Sequence, residues 1–258
     1  MTDHKSLTTR IALITGVSRR IGIGAAAARA LAAAGVTVFT SYYRPYDATM
    51  RWGSQEDEAE NVLTELRQLG GQAAGTEADL ADPQTPARLI EQVYQTFGRL
   101  DILVNNATHD EEIGLEETDA AALDRHYAVN LRGTLLLCRE FAARYDGRPG
   151  GRIINITSGN SLSPMPGNLP YAATKGGIES ATLALSAALA PKQITVNAVD
   201  PGATDTGWLS EKLHRELVQK APFGRIGTPE DAARLICFLA SDEAQWITGQ
   251  IIRSRGGL

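Results

Sequence analysis

The chain has 258 residues, 43 % of them apolar and 21 % charged, with a formal net charge of −5. These are the values of a soluble folded chain long enough for a sizeable core, and with no dense Lys/Arg run they exclude a general nucleic-acid binder. No stretch approaches the ~20 consecutive apolar residues that span a bilayer. The start, Met-Thr-Asp-His-Lys-Ser, has no apolar leader core.

In chain order, short β-rich runs alternate with Ala/Leu-rich segments. The pattern predicts strand 11–15, helix 24–34, strand 36–41, helix 56–69, strand 72–77 and helix 83–97. It continues with strand 102–105, a long helix 120–144, strand 152–157, helix 172–190, strand 195–199, helix 229–240 and strand 250–253. Regular alternation with such apolar strands predicts an α/β fold, a parallel sheet covered by helices on both faces. No Pro/Ser/Gly-rich linker divides the chain, so residues 1–258 read as one domain.

Two stretches break the rhythm. Residues 43–54 carry Pro, Tyr, Trp and Gly without a period, an unusually long strand-to-helix connection. Residues 204–223 hold a short helical pattern, 209–219, between Pro201-Gly202 and Pro222. An insertion beyond a strand's C-terminal end is where a substrate lid would lie. A plain surface excursion is compatible with either stretch. Cys138 and Cys237 sit in separate apolar helical patterns and read as buried thiols of a reducing compartment, so the expected location is the cytoplasm. No metal site is expected, because histidines 4, 109, 126 and 214 show no ligand spacing.

The first strand runs into Gly16-Val17-Ser18-Arg19-Arg20-Ile21-Gly22-Ile23-Gly24 and then an alanine-rich helix. Glycines let the chain turn sharply and let a pyrophosphate approach the backbone, while the helix N-terminus offers unpaired N–H groups. Gly16, Ser18, Arg19, Arg20, Gly22, Ile23 and Gly24 are therefore candidate cofactor contacts. An acid about 20 residues further on would bind a free ribose 2′-hydroxyl. Here the second strand ends Thr40-Ser41-Tyr42-Tyr43-Arg44, with no acid before Asp47. Arg19, Arg20 and Arg44 can neutralise a 2′-phosphate, with Ser41 beside it, so NADP(H) is expected over NAD(H).

Tyr171 and Lys175 lie four apart, thirteen residues or more after Ser158. On a helix they share a face and can address one small molecule. A lysine cation favours the phenolate and pulls a tyrosine from its ordinary pKa near ~10 toward the working range. A serine hydroxyl beside it would hold a carbonyl or alcohol oxygen. An amphipathic helix with a half-buried Tyr and a solvated Lys would show the same spacing.

With the glycine turn, Asn105-Asn106-Ala107, Asn130, Ser158 and Tyr171-x-x-x-Lys175 in chain order, the sequence resembles the short-chain dehydrogenase/reductase family. It looks closest to the branch that includes 3-oxoacyl-(acyl-carrier-protein) reductases, and the likeness runs from Thr9 to Leu258. The resemblance implies a Rossmann-type doubly wound parallel sheet of about seven strands, a nicotinamide cofactor, and hydride exchange with a carbonyl or alcohol. It implies Tyr171 as the general acid, Lys175 as its pKa modulator and nicotinamide-ribose ligand, and Ser158 as the holder of the substrate oxygen. Asn130 would support a water linking Lys175 to a proton relay. Asp79 and Leu80 would meet the adenine, and Asn105 and Ala107 would line the cofactor, while Asn106 could instead hold the central strand. Pro201, Gly202, Thr204 and Thr206 would lie beside the nicotinamide carboxamide.

Three departures from the family pattern stand out. Five residues separate Gly16 from Gly22 where three are usual, which reads as a two-residue insertion near Arg20-Ile21. Thr108 replaces a backbone-permissive Gly, and His109 after it reads as a surface histidine, with a position facing the substrate as the alternative. Arg255-Gly256-Gly257 replaces Asp-Gly-Gly, which would perturb the end of the last strand or a subunit contact. The expected function is NADPH-dependent reduction of a ketone, 3-oxoacyl thioesters among the candidates. An alcohol dehydrogenase working in the oxidative direction, or a non-catalytic NADP-binding sensor or scaffold, remain alternatives. Surplus small and apolar positions on helices 120–144 and 172–190, with the family's habit, suggest a homotetramer.

Overall fold

Seven parallel strands form one sheet in the computed structural model, which describes residues 7–159, 162 and 164–257. The expectation of no leader rests on residues 1–6, which lie outside that range. The strands are β1 (Ile11–Thr15), β2 (Thr37–Tyr42), β3 (Ala73–Glu77), β4 (Ile102–Asn105), β5 (Gly151–Ile156), β6 (Ile194–Asp200) and β7 (Ile251–Arg253). Their order is β3-β2-β1-β4-β5-β6-β7. It reverses between β1 and β4, which opens a crevice beyond the C-terminal ends of those strands.

The helices are α1 (Ile23–Ala33), α2 (Arg44–Thr49), α3 (Glu58–Gln68), α4 (Thr85–Phe97), α5 (Ala120–His126), α6 (Thr134–Arg144), α7 (Leu169–Leu189), α8 (Glu211–Lys220) and α9 (Pro229–Ala240). Side chains alternate across each strand, so successive residues enter two different cores. Ala12, Ile14 and Val104 join α1, α3 and α9, whereas Leu13, Leu103 and Ile153 join α4 and α6. Alanines 25–28 of α1 are all buried, and their small side chains let that helix lie close on the sheet. Among the described residues no helix is long and apolar enough to cross a membrane.

Three elements differ from the sequence expectation. The helix expected over 120–144 is α5 and α6 joined by a π-helical segment, Tyr127–Gly133, centred on Asn130. Such widened turns are rare and occur frequently at functional sites. The aperiodic stretch 43–54 contains α2, started by Pro45 in its first turn. Helix α7 begins at Leu169, three residues before the expected start, which places Tyr171 in its first turn.

Candidate active site

Ser158, Tyr171 and Lys175 converge at the C-terminal end of β5. The lysine is 4 % exposed. Its Nζ donates to the Ile156 carbonyl at 2.9 Å and stands 5.4 Å from the centre of the Tyr171 ring. Ser158 Oγ is buried and has no well-formed hydrogen bond, yet it lies close enough to the Tyr171 hydroxyl to favour the phenolate. Burial dominates both titrations. It drives the Tyr171 phenol well above its ordinary value, helped by the Asp110 carboxylate and opposed by Ser158. It pulls the Lys175 ammonium down to about 8, against Asp110. The lowering of the Tyr171 pKa expected from Lys175 is not what the site shows: desolvation sets the direction. At neutral pH the site presents a protonated phenol beside a cation, which suits proton donation.

Asn130 is 2 % exposed, and its amide is spent entirely on protein groups. Its Oδ1 accepts from His109 N–H at 2.7 Å and Thr108 Oγ1 at 3.1 Å. Its Nδ2 donates to the His109 carbonyl at 2.9 Å and to Thr174 Oγ1 at 3.0 Å. All four hydrogen-bonding positions of the amide are filled, so the side chain has none left for a relay water. It clamps the loop after β4 to α7 instead. Thr108, where a glycine is usual, has no positive φ and uses its hydroxyl in this clamp. Asn130→Ala leaves several of these groups buried without partners. It is expected to lower stability by about 2–4 kcal/mol, read as a reduced urea midpoint with an unchanged slope.

The glycine turn is shaped for close approach. Gly16 has a φ of +73°, and a Cβ there would stand 2.6 Å from Ala107 Cα. Gly24 is equally constrained, since its Cβ would fall 2.6 Å from Asn106 Nδ2. That amide donates to the carbonyls of Thr15 and Gly16 at 2.8 and 3.1 Å, so Asn106 holds the turn against the sheet. At Gly22 a Cβ would meet nothing nearer than Arg19 O at 3.7 Å, which leaves the turn open on that side. Gly22 is the N-cap of α1 and offers no side-chain cap, so the first-turn N–H groups are left for an anion. The helix begins at Ile23, as the insertion reading of the turn requires. Ser18 is half-buried within it, and Val17 N–H donates to the Ser41 carbonyl at 2.8 Å. This cradle fits a dinucleotide pyrophosphate.

The arginines expected at a 2′-phosphate are engaged with acids. Arg44 donates to Glu77 through Nη2 at 2.9 Å and Nε at 3.2 Å, and Arg20 pairs with Glu65. Arg19 instead reaches across the site. Its Nη1 donates to the Thr206 carbonyl at 2.9 Å, and its guanidinium lies 4.2 Å over the Trp52 ring and 3.8 Å from Asp47. Ile21, in the longer part of the turn, packs against Gly207. The enlarged turn therefore touches the loop after β6, a contact with no trace in the spacing.

Asp79 lines a cleft with Glu77, Ala78 and Asp82 beyond β3, and Leu80 is buried against Gly133. Asn105 does not turn its side chain to the crevice. Its amide donates to Asn155 Oδ1 at 2.8 Å inside the sheet, because β4 and β5 place the two residues side by side. Ala107 stands directly over Gly16. Pro201 and Gly202 form the turn after β6, and Thr204 Oγ1 bonds back to the Pro201 carbonyl at 3.2 Å.

Sequence reasoning missed two groups and misread a third. Tyr46, on α2, donates its hydroxyl to the Asp110 carbonyl at 3.3 Å and accepts from Asp110 N–H at 3.1 Å, so the long connection lies against the site. Asp110 raises the pKa values of both Tyr171 and Lys175. His109 is not the surface histidine expected first from the sequence. It is half-buried, 5.3 Å from the Tyr46 ring and 4.8 Å from the His126 ring, and Glu111 bonds its Nε2 at 3.0 Å. Burial and His126 pull its pKa down, so it stays neutral near pH 7. The adjacent Asn-Asn-Ala motif was the only signal for either residue. Among the described residues no group of His, Cys, Asp or Glu is arranged to hold a metal.

The model of a family described as enoyl-(acyl carrier protein) reductase matches residues 16–258. An uncharacterised oxidoreductase of Bacillus subtilis strain 168, YjdA, is 46 % identical over 250 residues, covering 96 % of each chain. The 3-oxoacyl-[acyl-carrier-protein] reductase FabG of Aquifex aeolicus strain VF5 is 32 % identical over 256 residues, with 98 % of each chain covered. A solved short-chain dehydrogenase of Burkholderia cenocepacia J2315, in complex with NADP, superposes with a TM-score of 0.88 at 32 % identity, covering 98 % of this chain and 99 % of that one.

Proposed function

The chain belongs to the short-chain dehydrogenase/reductase family and is an NAD(P)-dependent oxidoreductase, and we propose that it works as an NADPH-dependent ketone reductase. The observation that carries this reading is the buried Ser158 hydroxyl, without a well-formed hydrogen bond, set close to a protonated Tyr171 phenol. Ser158 holds the substrate oxygen, and Tyr171 gives it a proton as charge develops there. Lys175 steadies the phenolate left behind. The nicotinamide, when bound, supplies the hydride to the carbonyl carbon. Gly16, Gly22 and the N-terminus of α1 would hold the pyrophosphate, and Tyr171 and Lys175 the nicotinamide ribose. Ketones of the 3-oxoacyl thioester kind belong to the substrate range, a reading supported by the FabG relative.

Preference for NADP(H) is supported by Arg19, Arg20 and Arg44, by the lack of an acid at the end of β2, and by the NADP complex of the Burkholderia relative. On this reading Arg44 exchanges part of its bond to Glu77 for the 2′-phosphate. Residues 1–258 act as one domain, with a substrate lid over 204–223 built around α8. The half-buried Leu213 and Leu217 form the lid's apolar side. A homotetramer is favoured by Leu183, Phe238 and Trp246, which are 65, 38 and 96 % exposed. Two buried unpaired thiols favour the cytoplasm.

The test is NADPH consumption across 3-oxoacyl thioesters, 3-oxo esters, cyclic ketones and quinones, repeated with NADH. Oxidation of NADPH by at least one ketone class is expected. Silence across the panel would return the chain to a cofactor sensor, and faster use of NADH would overturn the cofactor preference.

A further inference from the structure

Where the family's closing motif has an acid this chain has Arg255, and the fold lays that side chain over Gly159 and Gly202, beside the candidate site. β7 pairs with β6 so that Arg253 lies opposite Asp200, and Ser254 N–H donates to the Asp200 carbonyl at 2.8 Å. The chain then bends through Gly256 and Gly257, and Arg255 crosses the end of β6. Its stem lies over Gly202, where a Cβ would come within 3.0 Å of Arg255 Cγ. Its guanidinium lies over Gly159, where a Cβ would fall 2.6 Å from Arg255 Cζ. Two glycines make room for one arginine, and Gly159 directly follows Ser158. Neighbouring Cα atoms are about 3.8 Å apart, so the guanidinium lies against the residue next to Ser158 in the chain.

The charge is balanced, but its hydrogen bonds are not made. Asp200 Oδ2 is 3.7 Å from Arg255 Nε, with side chains 1 % and 16 % exposed. That separation is too long for a hydrogen bond. Asp200 Oδ1 is already committed to Gly202 N–H at 2.9 Å. Arg255 Nε and Asp200 Oδ2 are both buried without a hydrogen-bond partner, and the Nη atoms bond no described residue. A buried Nε with its hydrogen bond unmade is unfavourable by itself. Its planar fork matches the two oxygens of a carboxylate.

We propose that Arg255 is a substrate-binding residue that receives a carboxylate, so that the preferred substrates are small oxo acids whose carboxylate lies a few bonds from the reacting carbonyl. The proposal rests on the reductase reading above. Asp200 is then a positioning residue that keeps Arg255 over Gly159 and pins the turn at Pro201-Gly202. Arg255 bears on substrate choice, where the sequence pointed only to a strand end or a subunit contact.

The test measures NADPH consumption with 2-, 3- and 4-oxo acids and their methyl esters. It compares the native protein with Arg255→Met, Arg255→Lys and the double variant Asp200→Asn/Arg255→Met, which leaves no lone buried carboxylate. Calorimetric titration of the same acids and esters reads binding without turnover. The native protein is expected to prefer acid over ester by about 10- to 100-fold in kcat/KM, mostly through KM, the range of one charge-assisted pair. That ratio should fall to near one in both Met variants and return in part with Lys. Equal handling of acid and ester by the native protein, or a preference surviving in both Met variants, overturns the proposal. Arg255-dependent acid binding without NADPH consumption leaves the carboxylate site standing and removes the reductase reading. Turnover without acid preference does the reverse.

Discussion

Tyr171→Phe is expected to lower turnover of a reducible ketone by at least ~10²–10⁴-fold, the contribution of a positioned general acid. The structure sets the phenol beside both Ser158 and Lys175, and burial keeps it protonated across neutral pH. Phenylalanine retains the ring that lies against Lys175, so the fold and the dinucleotide cradle at Gly16 and Gly22 should persist. NADPH binding, followed by its fluorescence, is therefore expected to stay within a few-fold of native. A variant that binds NADPH and turns over at a near-native rate would remove Tyr171 from the mechanism.

Lys175→Met is expected to abolish turnover and yet stabilise the fold. Burial lowers the ammonium from 10.5 to about 8. In that interval the unfolded chain binds more protons than the native protein. The charged lysine therefore works against folding in full below pH 8, and the penalty fades as pH rises toward 10.5. The shift corresponds to about 3 kcal/mol, from which the lost bond to the Ile156 carbonyl removes about 1. A gain of a few degrees in Tm near pH 7 should result, shrinking as the pH is raised through 8 and beyond. Ketone reduction by the native protein should decline above about pH 8, as the cation beside Tyr171 is lost. A Tm for Lys175→Met below that of the native protein at pH 7 would contradict the desolvation account.

The fold and the outline of the site are legible in the chain because they rest on local patterns. Alternating apolar runs announce strands buried on both faces, and the four-residue step from Tyr171 to Lys175 needs only a helix to become a shared face. Gly22 marks the start of α1 through its place before an alanine-rich run. The misread parts depend on partners far away in sequence. His109 looked like a surface residue because Tyr46 and His126, which enclose it, are not its neighbours in the chain. Asn105 looked like a cofactor contact until the register of β4 against β5 set it beside Asn155. The π-helical turn at Asn130 has an unremarkable helical sequence, and its anchors, His109 and Thr174, lie on other elements.

By itself the sequence determined the parallel α/β architecture, and it singled out the glycine turn and the Tyr171/Lys175 pair as candidates. Each of these follows from the spacing of neighbouring residues, which the backbone periods of helix and strand convert directly into geometry. Only the tertiary structure decided the state of that pair, the coupling of Arg19 to Thr206 across the enlarged turn, and the position of Arg255 over Gly159. Burial and long-range pairing are properties of the assembled sheet, whose strand order brings the ends of β1, β4, β5 and β6 together and sets the dielectric in which their side chains titrate.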